Sequence, residues 1–136
     1  GIVAACVTFL FGSLRVNSIG VNLVLLIGAA KMMIPVYLKN LIIAIPLTLN
    51  GIICGIVAYL LNIKGTPLSA GFGYTGLVGP INALNRMSGD TSFNIILLII
   101  GYFVVPFIGA FIIHHLCKRF IHSYSDEIYK FEIPKE

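Results

Sequence analysis

The sequence runs to 136 residues, of which 58% are hydrophobic and only 10% charged, whereas a soluble domain normally carries about 25% charged residues. That balance excludes a water-solvated fold and points to an all-α integral membrane protein. The net charge of +4 comes from scattered basic residues that do not alternate with aromatics as a nucleic-acid surface would, and Cys6, Cys54 and Cys117 stand far apart, so neither a disulfide framework nor a metal site is expected.

Residues 1–14 open inside an apolar run, GIVAACVTFLF, with no charged leader region or cleavage site of the signal-peptide kind. They read as the end of a truncated span, so the N-terminal remainder of the same protein is an expected partner. Arg15 to Ser18 interrupts the run. The apolar stretch after it, IGVNLVLLIGAA, is too short to cross a bilayer, which makes residues 15–39 a broken or interfacial segment. A charge inside a membrane is a functional hypothesis because stranding it costs several kcal/mol, unless the side chain snorkels to the surface. Both readings stand for Arg15; Lys31 is expected at the interface.

Residues 40–63 form span A, free of charge from Leu41 to Leu61, which matches the ~20 helical residues that a hydrocarbon core needs. Residues 93–117 form span B, free of charge from Phe93 to Ile113. Pro46 and Pro106 predict a kink in each, tolerated where neighbouring helices satisfy the freed carbonyls. Gly51 and Gly55 have the GxxxG spacing that lets another helix approach closely. Because Lys and Arg accumulate on cytoplasmic flanks, Lys118 and Arg119 place the end of span B inside and Lys31 and Lys39 the start of span A. The protein is then multi-pass, and residues 118–136 form a cytoplasmic tail. His114 and His115, where span B exits, are expected against lipid headgroups.

Residues 64–92 therefore leave and return on one face of the membrane. This connector holds six of the chain's 14 glycines, together with apolar patches that a solvated loop would lack. Gly71, Gly73 and Gly76 match a dinucleotide fingerprint, but that fingerprint needs a preceding strand and a following helix, and here Gly79 and Pro80 follow. A better use of the glycines is close backbone approach to a ligand in a re-entrant loop, since irregular backbone at membrane depth persists only where protein buries it or where it lines a cavity. A flat extracellular loop with glycine turns is the competing reading. Thr66, Ser69, Tyr74, Thr75, Asn82 and Asn85 supply uncharged donors and acceptors suited to a polyhydroxylated solute such as a sugar. Phe72 and Tyr74 offer faces for a sugar ring. With no His or Glu in the connector, no catalytic residue is expected there. Asp90 reads as the N-cap of span B.

Three stretches carry a resemblance: Ser13 to Gly20 (SLRVNSIG), Asn62 to Gly73 (NIKGTPLSAGFG) and Tyr74 to Asn85 (YTGLVGPINALN). They resemble the C-terminal part of enzyme IIC-like membrane proteins of the bacterial sugar phosphotransferase system. The resemblance implies a homodimeric permease in the bacterial cell membrane, without a cofactor, whose re-entrant loop holds a sugar while a cytoplasmic IIB component phosphorylates it. It adds Asn17 to the substrate-binding set of Thr66, Ser69, Gly71, Gly73, Tyr74, Thr75, Gly76, Asn82 and Asn85. A departure is the lack of the glutamate or histidine that such proteins place near the sugar hydroxyl. A membrane sensor of the same fold, binding ligand without transporting it, is the alternative function, and a structural subunit a third.

Overall fold

The computed structural model describes residues 1–67, 69 and 71–132. Leu68 and Ala70, within one resembling stretch, and residues 133–136 of the tail lie outside the described residues. All regular structure among the described residues is helical: α1 (Ile2–Ser13), α2 (Ile19–Ile27), α3 (Ile34–Lys39), α4 (Ala44–Leu60), α5 (Val78–Leu84), α6 (Thr91–Ile99) and α7 (Val105–Phe120), joined in places by short 3-10 turns.

Two helices are long and apolar enough to cross a membrane. A 3-10 turn leads into α4 to give Leu41–Leu60, of 20 residues, and α6 and α7 join into Thr91–Phe120, of 30 residues. In each, 22% of the most apolar stretch is buried, so neither is the core helix of a soluble protein. Ile52, Ile56, Phe93, Ile96 and Phe111 all face outward, an apolar surface that water disfavours and hydrocarbon accepts.

Local signals set the ends of these helices. Asp90 caps the long helix, its Oδ2 accepting from the Phe93 N–H at 3.3 Å, as the sequence suggests. Lys118 and Arg119 lie in the last turn, where cations complement the helix dipole. Pro46 falls in the first turn of α4, where its missing N–H would have no helical partner anyway, so the kink expected in the middle of span A has no cause. In the long helix a π turn over Ile100–Val104 precedes Pro106, the local widening with which helices absorb a break in their hydrogen-bond ladder.

Asn50, fully buried at the middle of the 20-residue helix, joins the three longest elements. Its Nδ2 donates to the Ala4 carbonyl at 3.2 Å, to Thr8 Oγ1 at 3.0 Å and to the Pro106 carbonyl at 3.3 Å. The Pro106 carbonyl thus gains an acceptor role across helices, and α1 and α4 are pinned to α7 at one level. Gly109 makes room for the amide, because a Cβ there would collide with Asn50 Oδ1. Gly51 and Gly55, by contrast, have nothing within 4 Å, so the close helix contact expected at their GxxxG spacing is not made within the described chain.

The segment expected to be broken or interfacial is a helical hairpin. Ser18 caps α2 by accepting from the Val21 N–H at 3.4 Å, and Ser13 Oγ bonds Asn22 Oδ1 at 2.7 Å, laying α2 back along α1. At Gly28, with φ 115°, the chain reverses through a 3-10 turn over Ala30–Met33 and returns as α3. The tail also folds back. Tyr129 is fully buried, and tail backbone groups bond Asn17 and Asn40.

Candidate functional site

The described residues between Lys64 and Asp90 pack into the open end of this bundle. Gly73, at φ 57°, runs so close to α1 that a Cβ would lie 3.2 Å from Ile2 and Val3. A Cβ on Gly79 would collide with the Gly73 carbonyl and sit 3.0 Å from Tyr102 Oη; only glycine fits between these groups. Thr75 Oγ1 donates to the Ile27 carbonyl at 3.2 Å, joining the connector to the tip of the α2–α3 hairpin. The Tyr74 ring stacks on Phe103 at 5.5 Å and 23°, and Leu77 is held at φ 60°, a conformation that costs a non-glycine residue about 1–2 kcal/mol.

Two of the cavities bordered by the connector are lined by predicted site residues. One, of about 300 Å³, is lined by Thr66, Ser69, Gly71, Gly73, Gly79 and Tyr102, among others, with α1 and the end of α4 behind them. The second, of about 380 Å³, shares Gly71 and Ile2 with the first and reaches Gly28, Lys31, Phe72 and Thr75. Among the described residues no Asp, Glu or His lines either cavity, so nothing there can act as a carboxylate or imidazole base.

Thr66 and Ser69 are mutually engaged: Thr66 N–H donates to Ser69 Oγ at 3.0 Å, and Ser69 Oγ donates to the Thr66 carbonyl at 2.9 Å. Thr66 Oγ1 bonds Asn82 Oδ1 at 3.3 Å, and Asn82 Nδ2 donates to the Val78 carbonyl at 3.0 Å. Asn82 thus ties the start of the connector to α5 and lies behind the cavity wall. Tyr74 spends its ring on Phe103, leaving Phe72 as the exposed aromatic face beside the second cavity. Gly76, at φ 60°, makes the turn into α5. Asn85 is exposed at the end of α5. Asn17 sits beyond the far end of α1, where Nδ2 donates to the Tyr129 carbonyl at 2.7 Å and Oδ1 accepts from the Phe131 N–H at 2.6 Å. The structure does not bring it to the other predicted site residues; its amide is used to hold the tail.

The far end carries a polar cluster that sequence reasoning missed. His114, expected at headgroups, is buried; Nδ1 lies 2.9 Å from Tyr124 Oη and Nε2 3.1 Å from Asp126 Oδ1. Tyr124 and Tyr129 share a 2.7 Å hydrogen bond, and Lys118 bonds Asp126 at 2.7 Å. A consistent proton arrangement runs from Tyr129 to Tyr124 and from Tyr124 to His114 Nδ1, which puts the histidine proton on Nε2, at ion-pairing distance from Asp126 Oδ1 but without an aligned hydrogen bond to it. Burial pushes both tyrosines above the ordinary phenol range, keeping them protonated donors. At Asp126 burial acts upward and is outweighed by the hydrogen bond and charge of Lys118, then by His114 and Arg15, so its carboxyl lies below the usual range. His115 is exposed and bonds the Phe111 carbonyl.

Regular structure that is helical throughout the described residues, with two helices long and apolar enough to cross a membrane, is that of a membrane protein. The chain matches the family described as phosphotransferase system, EIIC, over residues 1–131, and it belongs to that family. Such components are sugar-transport permeases that work in the membrane with IIB components and are not themselves enzymes. No match was found among curated proteins or among solved structures.

Proposed function

We propose that residues 65–86 re-enter the bilayer and hold a small polar solute, a sugar, for transport by a phosphotransferase-type permease. The observation that carries this reading is the 300 Å³ cavity, lined by Thr66 and Ser69 together with the side-chain-free Gly71 and Gly73. Its depth supports re-entry. Gly101 and Tyr102 of its wall lie about 15 Å along the long helix from Thr91, at 1.5 Å per residue, alongside outward-facing Ile95, Ile96 and Ile99.

Charge supports a cytoplasmic tail end. Arg15, Lys39 and Lys118 all gather there, each within ion-pairing distance of Asp126 or Glu132, as expected of a cytoplasmic flank. The chain is then multi-pass, and the α2–α3 hairpin enters from the cytoplasmic side to meet the connector arriving from the other. The open face around Gly51 and Gly55 is where a second copy or further helices of the protein would pack.

Substrate contacts are assigned to Thr66, Ser69, Gly71, Gly73 and Thr75, with Asn82 fixing Thr66 in place. Thr66→Ala and Asn82→Ala in the full-length protein test the assignment by ligand binding and by uptake into proteoliposomes. Loss of both supports it; unchanged binding and uptake overturn it. Binding without accumulation would instead identify a sensor of the same fold.

A further inference from the structure

Lys31 is the charged side chain that the interface reading leaves unexplained. It lies in the 3-10 turn at the hairpin tip, not at the tail end where Arg15, Lys39 and Lys118 gather. Its level in the bundle follows from its neighbours. Ala5 lines the same cavity and adjoins Ala4, whose carbonyl accepts from Asn50, the midpoint of the 20-residue membrane-crossing helix. Lys31 is exposed beside that cavity, and a lysine at that depth is expensive unless it is paired or faces a watery cavity. Among the described residues Lys31 makes no ion pair, and it lines the 380 Å³ cavity with Phe72, Thr75 and the backbone of Gly28 and Ala29. It is the one charged side chain on either cavity wall among the described residues.

We infer that the second cavity is an anion subsite, and that the solute is a sugar bearing an anionic oxygen group, held by the Lys31 ammonium. The inference rests on the reading of the connector as the sugar site and adds a substrate class to it. The layout is complementary to such a solute. The neutral cavity offers hydroxyls and peptide groups to a polyol, the shared wall at Gly71 lets a ligand span both, Phe72 offers an apolar face, and Lys31 supplies the charge. A hydrogen bond to a charged partner contributes more than a neutral one, so the cation selects for the charged sugar rather than merely adding affinity.

The test uses the full-length protein in vesicles of neutral phosphatidylcholine, with binding of glucuronate, glucose and glucose 6-phosphate measured for the natural protein, K31Q and K31R. Glucuronate, glucose 6-phosphate or both should bind about tenfold or more tightly than glucose. K31Q should abolish that preference while leaving glucose binding unchanged, and K31R should restore it. A preference for the uronate over the phosphate places the anion on the substrate, and the reverse places it on the phosphorylated product. If K31Q leaves the anionic preference intact, if neither anion binds, or if the effect of Lys31 requires anionic lipid in the vesicle, the inference fails. Thr66→Ala separates it from the reading beneath. Weaker binding of every probe in Thr66→Ala with no effect of K31Q leaves the sugar site standing and removes only the anion subsite.

Discussion

The two ends of the bundle are built on opposite plans. At the tail end, long side chains reach across elements: His114, Tyr124 and Tyr129 form a connected buried chain, half-buried Asp126 sits against it paired with Lys118, and Asn17 and Asn40 grip tail backbone. At the connector end, contact is made by removing side chains, with Gly73 and Gly79 in near-backbone contact and cavities left beside them. The first plan gives rigidity through many directional bonds, each modest alone. The second leaves room, with side-chain-free backbone lining the cavity wall.

That contrast can be broken most forcefully at Tyr129. Removing a fully buried aromatic costs about 3–5 kcal/mol, so Tyr129→Ala should lower the thermal midpoint in detergent more than any other substitution considered. Sugar binding should persist below the new midpoint if the two ends are separable. Next is Gly79→Val, where the new side chain meets the Gly73 carbonyl. It should reduce ligand binding about tenfold or more while leaving amide exchange in residues 121–132 unchanged. Asn50→Leu comes third. Interhelical hydrogen bonds in membranes are worth about 0.6 kcal/mol on average and up to about 1.7, so its loss should fall in that range, measured by unfolding in mixed micelles.

A smaller effect concerns pH. The folded Asp126 carboxyl lies below its ordinary value, so its contribution to tail docking is complete above the unfolded pKa of about 3.9 and is lost as pH falls through the folded value. Hydrogen exchange of tail amides should accelerate below about pH 4 in the natural protein. In Asp126→Asn that acid step should be absent and protection lower at neutral pH. The smallest effect is expected of Gly51→Ala with Gly55→Ala, which meet open space and should shift monomer stability by no more than about 0.5 kcal/mol.

Much of the helical plan was legible because hydrocarbon imposes a simple rule, a charge-free run of fixed length, and the Asp90 cap and the basic last turn marked the long helix. The connector was legible through its glycines, and Thr66, Ser69, Gly71, Gly73 and Thr75 do line the cavities. What escaped depended on distant partners. The hairpin over residues 19–39 is built from helices too short to announce themselves, and its reversal at Gly28 makes sense only beside Thr75. Asn17 could not be separated from the loop residues by type alone, since the same amide serves a ligand or a tail. Nor could His114 be assigned without Tyr124 and Asp126 beside it. Asn50 left one readable signal: an amide alone at the centre of an apolar span wants a partner on another helix.

The wide turn over Ile100–Val104 holds one residue more than an α-helical turn would. Because a π turn closes its hydrogen bonds one residue later than an α turn, it winds less per residue than the ~100° of an α-helix, and its flanks keep nearly the facing that an unbroken helix would give them. Deleting one residue there would let Thr91–Phe120 close as α-helix with Thr91–Ile99 and Gly109 still aimed as before. The cost would fall on the turn itself, where Gly101, Tyr102 and Phe103 meet the connector, so a shortened helix would be correctly aimed and locally blunted.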